Sequence, residues 1–211
     1  LKSLQNQLLE LRTNMNMESK LKSNPFEGLS YEEMKDRIQN ENLTEITIPS
    51  SMTSLGKSPF CDCANLETIQ VDSRNAYYTS IDGVLYTKDR QTLLCYPSKK
   101  KGTFYQIPST VTFIEDQAFS FCKLIKQITI PSTVTSIGDS VFANCPNLES
   151  IATDNQNPRY FSLDGILFTK DFQTLMCYPS CKPGISYIIP SSVKTIRIAA
   201  FSCCRSLKQI T

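Results

Sequence analysis

The 211-residue sequence has no histidine, no tryptophan and only seven glycines. Without imidazole there is no His-dependent triad or dyad, and the zinc sets that use histidine are excluded too. Scarce glycine leaves no Gly-rich phosphate loop. No apolar run approaches the ~20 residues a membrane helix needs. A dominant charge is also missing: 22 Lys and Arg face 20 Asp and Glu, and a net charge of +2 exerts no strong pull on nucleic acid or acidic lipid. No acid, base and nucleophile converge, so no catalytic residue, cofactor or metal site is assigned, and the chain reads as a non-enzyme.

What the sequence has is repetition. Four copies of one unit start at the Ile-Pro steps of Ile48, Ile107, Ile130 and Ile189. Counted from the proline, position +3 is Met52, Val111, Val134 and Val193, and +6 is Leu55, Ile114, Ile137 and Ile196. Position +11 is always Phe (60, 119, 142, 201) and +14 always Cys (63, 122, 145, 204). Leu66, Ile125, Leu148 and Leu207 follow at +17, and Ile69, Ile128, Ile151 and Ile210 at +20. These are the inward positions of one solenoid turn, which buries its apolar face only against the next turn.

Each unit ends in an I-x-I strand. The residues after the complete strands are Pro49, Asp72, Pro108, Pro131, Asp154 and Pro190, in steps of 23, 36, 23, 23 and 36. This spacing predicts a parallel sheet of seven strands, about 30 Å long at ~4.8 Å each. The long turns carry a second motif, Asn75–Pro97 and Asn157–Pro179. In it an Asp-Gly step opens a strand, and a β-hairpin with a four-residue loop follows, at Val84–Tyr96 and Ile166–Tyr178.

Residues 1–42 read as an N-terminal helical segment and cap, and 43–211 as the solenoid. Leu1, Leu4, Leu8 and Leu11 have coiled-coil spacing, open either to self-association or to a helix lying on its own domain. Ser30 and Glu33 form a capping box for a second helix. Asn40 stands in the Cys slot of an incomplete first turn, so residues 26–42 are expected to cap the solenoid. With no initiator Met, no signal peptide and an end just short of the next Ile-Pro, the expectation is a piece of a longer chain.

The unit I-P-x-x-V-x-x-I-x-x-x-x-F-x-x-C-x-x-L-x-x-I resembles the BspA-type leucine-rich repeat, and the D-G-V-L-Y segment is similar to one that recurs there. The resemblance covers residues 43–211. It implies a leucine-rich-repeat solenoid, and with the strand spacing and the N-terminal helical patterns the expected fold is mainly β, a leucine-rich-repeat solenoid with parallel sheet, two inserted β-hairpin units and N-terminal α-helices. By that resemblance the function is a cell-surface module adhering to a host-matrix or cell-surface protein. An intracellular scaffold, docked through its N-terminal helix to a cytoskeletal partner, is the alternative.

Nine cysteines suggest disulfides or metal, but four fill the +14 slot and Cys95 and Cys177 are equivalent positions of the two inserts. The spacings fit no zinc pattern, so buried structural thiols are expected. Tyr77, Tyr78, Tyr160 and Phe161 are read as packing under the hairpins rather than as stacking platforms. Lys99-Lys100-Lys101 is read as a solvated loop, and Asn42-Leu43-Thr44 is a glycosylation sequon that matters only in a secreted chain. The outward strand residues Thr47, Gln70, Gln127, Thr129 and Ala152 are the expected partner-binding surface.

Overall fold

The computed structural model describes residues 43–60 and 63–211. The helices, the Leu1–Leu11 seam, the cap and Cys61 lie outside the described residues. Among the described residues the chain is a succession of short strands with no helix.

The I-x-I segments form β1 (Glu45–Ile48), β2 (Thr68–Val71), β6 (Phe104–Gln106), β8 (Gln127–Ile130), β10 (Ser150–Thr153), β14 (Ser186–Tyr187) and β16 (Gln209–Ile210). They pair in parallel with equivalent residues side by side, Ile46 by Ile69 and Ile128 by Ile151. The single seven-stranded sheet expected from the spacing is not formed. Three ladders stand in its place: β1–β2, β6–β8–β10 and β14–β16. Both breaks fall at the long turns. There the N–H groups of Ile69 and Ile151 donate to the carbonyls of Gly83 and Gly165, each at 2.9 Å. The inserted segment takes the bonds that a next strand would have made.

Each insert is three-stranded. The first is β3 (Tyr78–Ile81), β4 (Val84–Thr87) and β5 (Thr92–Cys95); the second is β11 (Tyr160–Leu163), β12 (Ile166–Thr169) and β13 (Thr174–Cys177). All neighbours within an insert are antiparallel. Asp-Gly opens β4, as expected, and also closes an earlier, unexpected hairpin, because Ile81 lies opposite Val84 with only Asp82 and Gly83 between. Their φ values of +48° and +75° are those a type I′ turn demands. The last strand of each insert joins the far side of the solenoid. β5 pairs in parallel with β7 (Phe113–Ile114), which pairs with β9 (Ser136–Ile137); β13 pairs with β15 (Thr195–Ile196).

The core is the repeat register made solid. Phe119, Val111, Ile114, Cys122, Ile125 and Ile128 are all at most 1 % exposed. In the last copy the equivalent Ile196 and Ile210 are 48 % and 45 % exposed, which shows that a turn does not bury its own face. Aromatic rings stack from turn to turn: Tyr96 on Phe119 at 5.1 Å, Phe119 on Phe142 at 5.7 Å, Tyr178 on Phe201 at 5.4 Å. Tyr96 and Tyr178, from the inserts, take the phenylalanine slot.

The +14 thiols donate across the stack to the carbonyl of the preceding aromatic. Cys122 reaches Tyr96 at 3.7 Å, Cys145 reaches Phe119 at 2.9 Å, and Cys204 reaches Tyr178 at 3.6 Å. These three cysteines, with Cys177, Cys181 and Cys203, are free thiols. Asn75 and Asn157 start the inserts from fully buried positions. The Asn75 amide donates to the carbonyls of Pro49 and Met52 and accepts from the N–H groups of Tyr77 and Tyr78. Asn157 repeats all four bonds on Pro131, Val134, Arg159 and Tyr160.

Candidate interaction surface

Because side chains alternate along a strand, each I-x-I strand sends its apolar pair inward and the residues between to solvent. Stacking the turns lines those outward residues into rows. Thr47 lies beside Gln70 in the first ladder; Gln106, Thr129 and Ala152 adjoin in the second. Gln127 is in the parallel row, between Phe104 and Ser150. Gln70, Gln127 and Ala152 are exposed, and Thr47 and Thr129 half-buried. The five expected contact residues therefore lie on two separate ladders. The first insert's Asp82-Gly83 tip stands beside β2 at the break that follows the first ladder.

The two tips are fixed alike. Lys100 reaches the Asp82 carboxylate at 2.9 Å and Lys182 reaches that of Asp164 at 2.7 Å. Both lysine side chains are largely covered, at 13 % and 15 % exposure, while the aspartates are open. The basic run is thus not merely a solvated loop, since Lys100 is the positional partner of Lys182. Gly83 is required at its tip because a Cβ would lie 2.5 Å from the Thr68 hydroxyl oxygen. A recess of about 390 Å³ opens beside this tip, lined by Thr68, Gln70, Ser80, Asp82, Lys100 and Lys101.

Charges along the face are paired. Lys126 and Glu149 meet at 2.8 Å, and this bond raises the Lys126 pKa. At the corner after β2, hydrogen bonds from Arg74 hold the Asp72 carboxyl down to about 2. Among the described residues no group of three or more His, Cys, Asp or Glu side chains is placed to hold a metal. No helix among them is long and apolar enough to cross a membrane.

The aromatics before the hairpins divide. The Tyr78 hydroxyl accepts the Leu55 N–H at 3.0 Å, Tyr160 is buried, and Phe161 packs edge-on to Phe172 at 6.0 Å; Tyr77 is 52 % exposed. Sequence reasoning missed Phe104 and Ile188, the large apolar residues on the outward face, 54 % and 77 % exposed. The signal was available. Both are the outward-facing residues of strands whose inward pairs the repeat had already fixed.

The BspA type leucine-rich repeat region matches in six copies, over residues 10–84, 95–168 and 174–211. A comparison with curated proteins gives no match. Among solved structures, a leucine rich cell surface protein from Faecalibacterium prausnitzii is 30% identical with a TM-score of 0.60, over 80% of this chain and 47% of that one. A leucine-rich repeat protein from Eubacterium ventriosum is 26% identical, TM-score 0.54, over 80% and 48%. The pneumococcal vaccine antigen PcpA shares the fold at 24% identity and a TM-score of 0.60, over 80% and 38%. The chain thus spans less than half the length of these structures.

Proposed function

The chain belongs to the BspA-type leucine-rich repeat family, and from that membership we propose that residues 43–211 form a non-enzymatic protein-binding module displayed at a cell surface for adhesion. The observation that carries this reading is the outward face of the ladders. Thr47, Gln70, Gln127, Thr129 and Ala152 are small or uncharged and stand in rows that a flat partner can approach down to the backbone. The surface placement draws support from the likeness to the Faecalibacterium cell surface protein. Partners are then matrix or cell-surface proteins, without nucleic acid or cofactor.

Two measurements test this. An impermeant label applied to intact cells should mark the protein; protection from the label would remove the adhesion role. Gln70→Arg and Thr129→Arg should weaken capture of a matrix protein about tenfold or more while the melting temperature stays put. Unchanged capture would move the contact off this face.

A further inference from the structure

The two strands that follow the inserts, β6 and β14, each begin a ladder just past a break in the face. Each lies at the end of its ladder, with one pairing neighbour, β8 or β16. The direction of their peptide groups follows from the bonds. Gln127 N–H donates to Thr103 C=O and Ile107 N–H to Thr129 C=O, both at 3.0 Å. Thr103, Tyr105 and Ile107 therefore serve β8, and the peptide groups of Phe104 and Gln106 turn the other way. In β14 the carbonyls of Ile185 and Tyr187 accept from Gln209 and Thr211, so Ser186 and Ile188 turn outward likewise.

The inserts do not cover these edges. They bond to the strand before the break: Gly165 C=O accepts from Ile151, and Ser162 N–H donates to the Thr153 hydroxyl at 3.0 Å. Exposed apolar side chains stand by both edges, Phe104 on β6 and Ile185 and Ile188 on either side of β14. The two edges are equivalent places of the two long turns, although the apolar residues sit at different positions along them, Phe104 matching Ser186 and Ile188 matching Gln106.

We propose that the open edges of β6 and β14 are strand-accepting slots for an extended, acidic segment of a partner protein, apolar at alternate positions. A row of backbone N–H and C=O groups is complementary to another main chain, and the adjacent apolar side chain selects what lies on its outward face. The acidic character follows from charge. Around β14, residues 172–211 contain no Asp or Glu; Lys182 and Arg197 are already paired with Asp164 and Asp139, so the preference for acid is carried there by Lys194, Arg205 and Lys208. A neutral saccharide could stack on Phe104 but would leave both the edge amides and Ile188 unused.

The inference rests on the protein-binding reading above, and its test separates the two. A library of random linear peptides of about 12 residues is panned against the full chain, and enriched peptides are titrated into it. Enriched sequences should alternate apolar with acidic residues. Phe104→Ala or Ile188→Thr should weaken them about tenfold, salt should weaken them further, and N-methylation of alternate peptide amides should abolish binding. Bound peptide should slow exchange of the Phe104, Gln106, Ser186 and Ile188 amides about tenfold or more. Unchanged exchange at those amides, indifference to N-methylation or failure of any peptide to enrich overturns the slots. Binding lost in Gln70→Arg or Thr129→Arg but not in Phe104→Ala or Ile188→Thr would also overturn them, leaving the face as a protein-binding surface. Binding of neutral glycans, lost on Phe104→Ala, would replace both with saccharide recognition.

Discussion

At the residue scale, the choice of cysteine at +14 has a bonding reason as well as a packing one. The slot is apolar and fully buried at Cys122 and Cys145, yet a carbonyl from the preceding turn points into it. A thiol is apolar enough for the first and a weak donor for the second. A hydroxyl would find the same acceptor, so Cys122→Ser should cost about 1 kcal/mol or less in urea unfolding. Asn157→Ala should cost more, on the order of 3 kcal/mol, because two carbonyls and two N–H groups lose their partner together. If the two variants proved equal, the carbonyl at +14 would not be an effective acceptor. Burial first of all raises the Cys122 and Cys177 thiols well above their usual pKa and Cys204 to about 11. With folded values raised, the folded state favours the neutral thiol. The stability this brings is complete below the unfolded pKa of ~8.5 and is lost as pH climbs toward the folded values. The melting temperature should therefore be level near neutral pH and drop on the alkaline side, less steeply in Cys177→Ala.

At the scale of elements, the Asp-Gly tip sets where the sheet breaks. Gly165 has φ +78°, and a Cβ there would sit 3.0 Å from that of Ser150. Gly165→Ala should cost ~1–3 kcal/mol and loosen the Ile151 edge, visible as faster exchange of its amide. Asp164→Asn keeps a residue suited to the φ of 51° and removes only an exposed ion pair, so it should cost well under ~1 kcal/mol. The reverse order would mean that the lysine, not the turn, holds the tip. The short turns were legible in the sequence because Phe at +11 and Cys at +14 report burial directly. Phe119, Cys122 and Ile128 sit where the periodicity puts them. The break in the sheet was not legible, since it depends on which carbonyl receives the N–H of Ile69, and a spacing of 36 residues does not name an acceptor. The strands before Asp-Gly carried the strongest short-range hairpin signal, but Tyr78–Ile81 lacks clean alternation to announce them. The contact face was legible strand by strand. Its division into ladders, which makes Phe104 and Ile188 edge residues, was not.

At the scale of the whole molecule, a stack in which each turn touches only its neighbours stores its stability in the interfaces between turns. Phe119 is held between Tyr96 at 5.1 Å and Phe142 at 5.7 Å, whereas Phe201 stacks on Tyr178 at 5.4 Å and meets Tyr187 at 6.2 Å. Phe119 is fully buried and Phe201 half-buried. Phe119→Ala should therefore cost ~3–5 kcal/mol, typical of a deleted core aromatic, and should lower protection on both sides of the site. Phe201→Ala should cost less, and its effect should stop within the last turns. Native-state hydrogen exchange resolves the difference. In the isolated 211-residue polypeptide the β8 amides should open last, with free energies near the global value, and those of β15 and β16 first, since Ile196 and Ile210 are about half exposed there. Uniform protection from β1 to β16 would mean that the turns unfold as a single unit. The nearest-neighbour account of the solenoid would then fail, and with it the expectation that damage at Phe201 stays local.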